Sequence, residues 1–174
     1  MNIDDDIEPA PALSHVAPDG TARMVDVSAK ADTVRMARAT GSIRMTLATL
    51  EAIVRNGVAK GDVLGVARVA GILAAKRTAD LIPLCHPLPL TDIGVVLTPD
   101  PSLPGIRAEV VARTTAKTGV EMEALTGVSI ALLTVYDMAK AMDRGMTISD
   151  ISLAEKVGGV GGKYARLAGS AVAP

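Results

Sequence analysis

The sequence predicts a single α+β domain in which an antiparallel sheet is covered on one face by helices. Three observations carry this reading. Two alternating stretches, residues 91–99 and 105–115, flank Pro101-Ser102-Leu103-Pro104 and read as a hairpin. Apolar residues recur at helical spacing in 46–56, 62–81 and 121–142. The elements follow the order β-β-α-α-β-β-α-β, and hairpin signals dominate over single crossovers, so the sheet is expected to be antiparallel. With 174 residues, 49% of them hydrophobic, the chain can bury one ordinary core.

Taken in order, residues 1–20 hold Pro9, Pro11, Pro18 and Gly20 among acidic residues and read as a mobile arm without a core. Residues 21–174 form the single domain. Met24-Val25-Asp26-Val27-Ser28 alternates and suggests a short strand. Residues 33–45 suggest a second, with Arg38 an imperfection on the Val34 and Met36 side. In 46–56, Leu47, Leu50, Ile53 and Val54 mark a helix that Gly57 stops. Asp62 is placed to cap the next helix, whose small residues (Gly65, Ala67, Ala70, Gly71, Ala74, Ala75) allow close packing, and Pro83 ends it near Leu81. After the hairpin, a long helix runs over 121–142, with Thr118 and Glu121 as a capping box. Residues 146–153 form the last strand, and Gly158 to Lys163 a flexible glycine-rich loop.

Composition narrows the function. Aromatic residues are 1% of the chain, which leaves no stacking platform for single-stranded nucleic acid. A net charge of −1 does not favour a polyanionic surface as partner. No uninterrupted apolar run reaches the roughly 18 residues of a membrane span. The acidic opening, Asp4-Asp5-Asp6, lacks the pattern of a secretory leader, so a cytoplasmic protein is expected. Cys85 is the sole cysteine, and His15 and His86 are the only histidines, so neither a disulfide framework nor a metal site is expected. No cofactor is called for.

Three constellations carry chemistry. In the long helix, Glu123, Ile130 and Asp137 recur every seven residues and lie along one partly apolar side. Lys140, three residues beyond Asp137, comes within reach of it. A carboxylate and an ammonium held together on a half-buried face suit general acid–base work, although the same spacing also makes an ordinary surface ion pair. Second, Leu84, Cys85 and His86 lie between Pro83 and Pro87, which restrict the backbone and present His86 rigidly. Third, Lys117 precedes the long helix, whose free N–H groups attract anions. Arg35, Lys60, Lys76, Arg77, Lys117, Lys140, Lys156 and Lys163 all fall in segments rich in Gly, Pro and Thr, as a polyphosphate ligand would require. The glycine-rich tail fails the P-loop pattern, because Tyr164 follows Lys163 where Ser or Thr is needed.

Several runs go further. Lys60-Gly61-Asp62-Val63, Leu81-Ile82-Pro83-Leu84-Cys85-His86-Pro87, Lys117-Thr118-Gly119-Val120-Glu121-Met122-Glu123-Ala124-Leu125-Thr126 and Tyr136-Asp137-Met138-Ala139-Lys140, with Met24 to Ser28, resemble the MoaC family of cyclic pyranopterin monophosphate synthases. The likeness extends from about Ser14 to Tyr164 in order. It implies a ferredoxin-like fold and a phosphorus–oxygen lyase of molybdenum cofactor biosynthesis. Such an enzyme converts a cyclised dihydro-GTP into cyclic pyranopterin monophosphate and pyrophosphate. It implies a homo-hexamer, a trimer of dimers, with sites at a subunit interface. Asp137 and Lys140 match the catalytic pair, while Leu84, Cys85, His86, Met122 and Glu123 match substrate contacts. By the same resemblance Lys60, Lys76, Arg77, Lys117 and Lys156 hold the triphosphate, with Arg35 among the cations.

One departure stands out. Family members often carry Lys-Ser-Gly-Gly-Lys-Ser-Gly near the C-terminus, where this chain has Val160 in place of the second lysine. Lys163 is the candidate to replace it. The alternative to an enzyme is a nucleotide-binding regulatory protein without catalysis, for which the cations and glycine loop would serve equally well. Asp137 with Lys140 on one stripe is the feature such a binder would not need. The enzymatic reading requires these two groups to converge with His86 and Lys76 in one pocket, within a chain or across neighbouring subunits.

Overall fold

The computed structural model describes residues 19–159 and 161–166. Its elements are β1 (Thr33–Arg44), α1 (Leu47–Val54), α2 (Val63–Lys76), α3 (Thr78–Leu81), β2 (Leu90–Asp100), β3 (Gly105–Ala116), α4 (Glu121–Ala139), β4 (Thr147–Val157) and β5 (Tyr164–Ala165). The strands form one sheet in the order β2-β3-β1-β4-β5, and every pairing is antiparallel. Helices α2 and α4 return the chain past an intervening strand, which is the ferredoxin-like α+β arrangement expected. Only Asp19 and Gly20 of the expected arm, and neither Val160 nor residues 167–174, are among the described residues.

Alternation fixes which face of the sheet is covered. In β1, Ala37, Ala39 and Ile43 are fully buried under the helices. Val34, on the opposite side, is 72% exposed. Arg38 is therefore no flaw in the pattern. It stands on the open face and reaches Glu109 at 3.1 Å and Glu155 at 3.4 Å on the two neighbouring strands. In β3 the covered positions are Ile106, Ala108, Val110 and Ala112. They meet Ala124, Val128, Ala131, Leu132 and Val135 of α4, giving an aliphatic core of small side chains.

Small residues also set the helix packing. A Cβ on Gly71 of α2 would lie 3.0 Å from the carbonyl oxygen of Gly127 and 3.2 Å from the Ala131 Cβ of α4. A Cβ on Gly127 would in turn lie 3.3 Å from the Gly71 carbonyl oxygen and 3.6 Å from the Ala75 Cβ. The pairing of 71 with 131 and of 75 with 127 makes the helices antiparallel, so the end of α2 lies beside the start of α4. By length and hydropathy α4 could cross a membrane, yet 56% of its apolar window is buried, as befits a core helix.

Four local expectations are corrected. Residues 24–28 form no strand. The helix expected over 62–81 breaks at Arg77, where the buried Thr78 hydroxyl donates to the carbonyls of Ala74 and Ala75 and α3 begins. The Thr118 capping box does not form: α4 starts after Val120 without a side-chain cap, and Glu121 pairs with Lys156 instead. The strand expected over 146–153 is β4, which runs on to Val157 and is not the last, since β5 follows; Lys156 thus belongs to a strand, where it pairs with Ala37.

Candidate active site

The sequence-derived residues gather at the two ends of α4. At its N-terminal end a cavity of about 410 Å³ is lined by Leu84, Cys85, His86, Met122 and Glu123, which the sequence singles out, and by Val25, Val27, Lys30, Leu88, Thr118, Gly119 and Glu121. That volume lies in the usual range for small-molecule pockets. The His86 ring nitrogen Nε2 lies 2.8 Å from the Val25 carbonyl oxygen. A carbonyl only accepts, so Nε2 carries the hydrogen and donates, and a neutral ring leaves Nδ1 as an acceptor. This bond ties segment 24–28 to the proline-framed loop as a wall of the pocket. Periodicity misread the segment as a strand; its presence among the family-like runs was the better signal.

Cations surround this end in fixed contacts. Lys117 Nζ donates to the Ser28 carbonyl at 2.8 Å, and the Arg35 guanidinium to the Lys117 carbonyl at 3.2 Å. Lys156 meets Glu121 at 3.1 Å, whereas Lys163 meets Glu155 at 3.4 Å on the open face of the sheet, where Glu155 also holds Arg38, and so is not brought to this pocket. Gly158 and Gly159 take positive φ angles of 104° and 78°, and side chains there would collide with Val34 and Arg35. These glycines let the chain turn tightly over Arg35. Lys76 and Arg77 lie exposed where α2 ends, beside the same end of α4.

Burial governs two of the ionisable groups that line the pocket, Glu123 and Cys85. Glu123 is 4% exposed, and its Oε2 has no hydrogen-bond partner among the described residues. Desolvation raises its pKa, with the charge of Glu121 adding to the rise and its own backbone N–H opposing it. A helix N-terminus favours a carboxylate by up to about 2 kcal/mol, whereas burying an unpaired charge costs several. Burial therefore wins. The Cys85 thiol is also raised, first by desolvation and then by Glu123, so it stays protonated and is a poor nucleophile.

The other end is cationic and open. Asp137 Oδ1 lies 2.7 Å from Lys140 Nζ, and its Oδ2 lies 2.7 Å from Lys60 Nζ. Lys60 also donates to the Asp137 backbone carbonyl at 3.0 Å, near the carbonyl-rich end of the helix, where cations are favoured. Hydrogen bonds from Lys140 and Lys60 hold the Asp137 carboxyl at about 2, and Asp137 raises Lys140. Asp137 and Lys140 are therefore both charged at neutral pH. The half-buried stripe expected from spacing is absent in the single chain: the Asp137 side chain is 55% exposed. Lys60, expected with the triphosphate cations, joins Asp137 and Lys140.

The two groups do not meet within one chain. Glu123 and Asp137 are separated by about 21 Å along α4, at roughly 1.5 Å per residue. One end offers a pocket with a buried carboxyl, an oriented imidazole and Lys30 in its lining. The other offers two ammonium groups bridged by a carboxylate. The pocket and the Lys60–Asp137–Lys140 cluster thus lie at opposite ends of α4 on a ferredoxin-like scaffold.

The chain belongs to the MoaC family, which it matches over residues 24–159. It is 58% identical to the cyclic pyranopterin monophosphate synthase of a Nostoc species, over 87% of this chain and 90% of that protein. It is 55% identical to those of Trichodesmium erythraeum and Cereibacter sphaeroides, covering 87% of this chain and 92% and 96% of theirs.

Proposed function

We propose that this protein is a cyclic pyranopterin monophosphate synthase of molybdenum cofactor biosynthesis. It converts a cyclised dihydro-GTP into cyclic pyranopterin monophosphate, with release of pyrophosphate. The observation that carries this reading is the pairing of the pocket at the start of α4, lined by Leu84, Cys85, His86, Met122 and Glu123 from the family-like runs, with a separate Lys60–Asp137–Lys140 cluster. Val25, Val27, Leu84, Leu88 and Met122 suit a flat fused ring. Lys117, Arg35, Lys156, Lys76 and Arg77 are the cations for a triphosphate. Lys140, held as an ammonium, acts as acid toward the rearranging ring or the phosphate, and Asp137 orients it. Asp137 becomes a useful base only once the incoming substrate or a neighbouring subunit displaces its lysines and raises its pKa.

The complete site on this reading combines the His86 end of one subunit with the Asp137 end of another, in a homo-hexamer in the cytoplasm. Val66, Val69 and Leu73 supply apolar surface for such an assembly: each is about half exposed along α2, next to Asp62, in a groove of about 410 Å³.

Pyrophosphate and pterin release from the cyclised substrate by purified protein tests the activity. The split site is tested by mixing. Asp137→Ala and His86→Ala are each expected to be inactive, and co-expression of the two is expected to restore about one quarter of wild-type activity, the share of interfaces that receive two intact halves. Turnover of wild-type rate by Asp137→Ala alone, or no recovery on mixing, rejects the assignment.

A further inference from the structure

One side chain outside the pocket and the cluster ties together the elements that carry Lys60, Asp137 and Lys140. Asp137 stands on the last turn of α4 and Lys140 caps it, while Lys60 comes from the loop between α1 and α2. That loop hangs closely from α1. The Gly57 N–H donates to the Ala52 carbonyl at 2.8 Å, the Gly61 N–H donates to the Val58 carbonyl at 2.9 Å, and Val58 is buried. Thr46, the N-cap, stands at the other end of α1. Asp143, in the turn after α4, accepts the Thr46 backbone N–H on Oδ2 at 2.8 Å and the Gly145 N–H on Oδ1 at 2.9 Å. Its own N–H donates to the Ala139 carbonyl at 3.2 Å, and the Tyr136 hydroxyl donates to the Arg144 carbonyl at 3.2 Å. The turn beyond Lys140 is thus folded back on α4 and fastened to α1. The unit of α1 and its loop meets the end of α4 at two places, Thr46 on Asp143 before the helix and Lys60 on Asp137 after it. Helix α1 between them is about 12 Å long at roughly 1.5 Å per residue.

We propose that Asp143 is a positioning residue for the reaction: its hydrogen bonds to Thr46 and Gly145 fix α1 against the end of α4 and so set the spacing of Lys60 and Lys140 about Asp137. Lysine side chains are flexible and strongly hydrated. A cluster as exposed as this one keeps its geometry only if the backbones beneath it are held. Asp143 belongs neither to the cluster nor to the pocket lining, so it acts through the groups it holds. The inference rests on the catalytic role proposed above for Asp137 and Lys140 and assigns what keeps them in place.

Asp143→Ala removes both acceptors, whereas Asp143→Asn keeps a carbonyl for the Thr46 N–H. Asp143→Ala is expected to lower kcat about 10-fold and to leave KM within about 2-fold of wild type, because the pocket at the other end of α4 is untouched. Asp143→Asn should stay within about 3-fold of the wild-type kcat. A second readout needs no turnover. Carbon-13 NMR at pH 3.8 should show the wild-type Asp137 carboxyl ionised, since its lysines hold it at about 2, and the same carboxyl partly protonated in Asp143→Ala. Wild-type kcat in Asp143→Ala, an Asp137 carboxyl there as ionised as in wild type, or no recovery in Asp143→Asn overturns the inference. The carboxyl change in Asp143→Ala, beside a wild-type protein that forms no pterin, would reject the functional reading and uphold the clamp.

Discussion

Asp137 and Glu123 share one helix and respond to pH in opposite senses, because one is bridged by cations in water and the other is buried without a partner. The folded-state pKa of Asp137 is lowered, so its contribution to stability is present above the ordinary 3.8 and is lost as pH falls from there to about 2. The Glu123 pKa is raised, so its protonated form favours the folded state at low pH, and that advantage disappears as pH rises through the folded value. Thermal melts of Asp137→Asn should therefore show a shallower loss of Tm than wild type between pH 3.8 and about 2. Equal slopes would mean that the lysines do not hold the carboxylate in solution. At this scale the sequence shows which residues matter better than where they sit. Spacing places Lys140 beside Asp137 correctly, since a helix fixes neighbours three residues apart. It gives no access to Lys60, which is 77 positions away in the chain and arrives through tertiary packing. The solvation that separates Asp137 from Glu123 also depends on what covers each end of α4, which periodicity does not encode.

Among the elements, the contact of α2 with α4 is the one that small residues make possible. Helix propensity favours replacing Gly71, by up to about 1 kcal/mol for alanine. A branched side chain there meets the Gly127 carbonyl and the Ala131 methyl, and forcing the helices apart costs typically 1–3 kcal/mol. Gly71→Val is expected to lower stability by about 2 kcal/mol in urea titration. Gly94→Ala, on β2 where an added Cβ meets nothing within 4 Å, should leave stability unchanged or slightly improved. Strands and helices with strong periodicity were legible for the same reason that they are stable: one face is buried. The strand expected at 24–28 alternates as well, yet its carbonyl at Val25 is committed to His86 rather than to a sheet neighbour. The break at Arg77 was invisible because Thr78 satisfies the final carbonyls of α2 from within the helical pattern itself.

Seen as a whole, the molecule distributes its chemistry along α4, and the exposed aliphatic side of α2 runs beside it. The antiparallel packing of the helices places the start of α2, with Asp62 and the nearby Lys60, at the Asp137 end. Val66, Val69 and Leu73 therefore begin next to the cationic cluster and run toward the other pocket. An aliphatic strip in that position gives a second subunit a place to dock without either set of polar groups being buried unpaired. If the site is shared between subunits, assembly and catalysis must fail together even when every site side chain is intact. Leu73→Glu places a charge in the strip, where burial in an interface costs several kcal/mol. On the folded single chain Leu73 is 50% exposed, so the same change is nearly neutral for the subunit itself. The variant is expected to keep a wild-type circular dichroism spectrum, to shift to a smaller mass in light scattering, and to lose pterin formation. Activity retained by a monomeric Leu73→Glu protein would show that one chain suffices, and the mixing of Asp137→Ala with His86→Ala should then restore nothing.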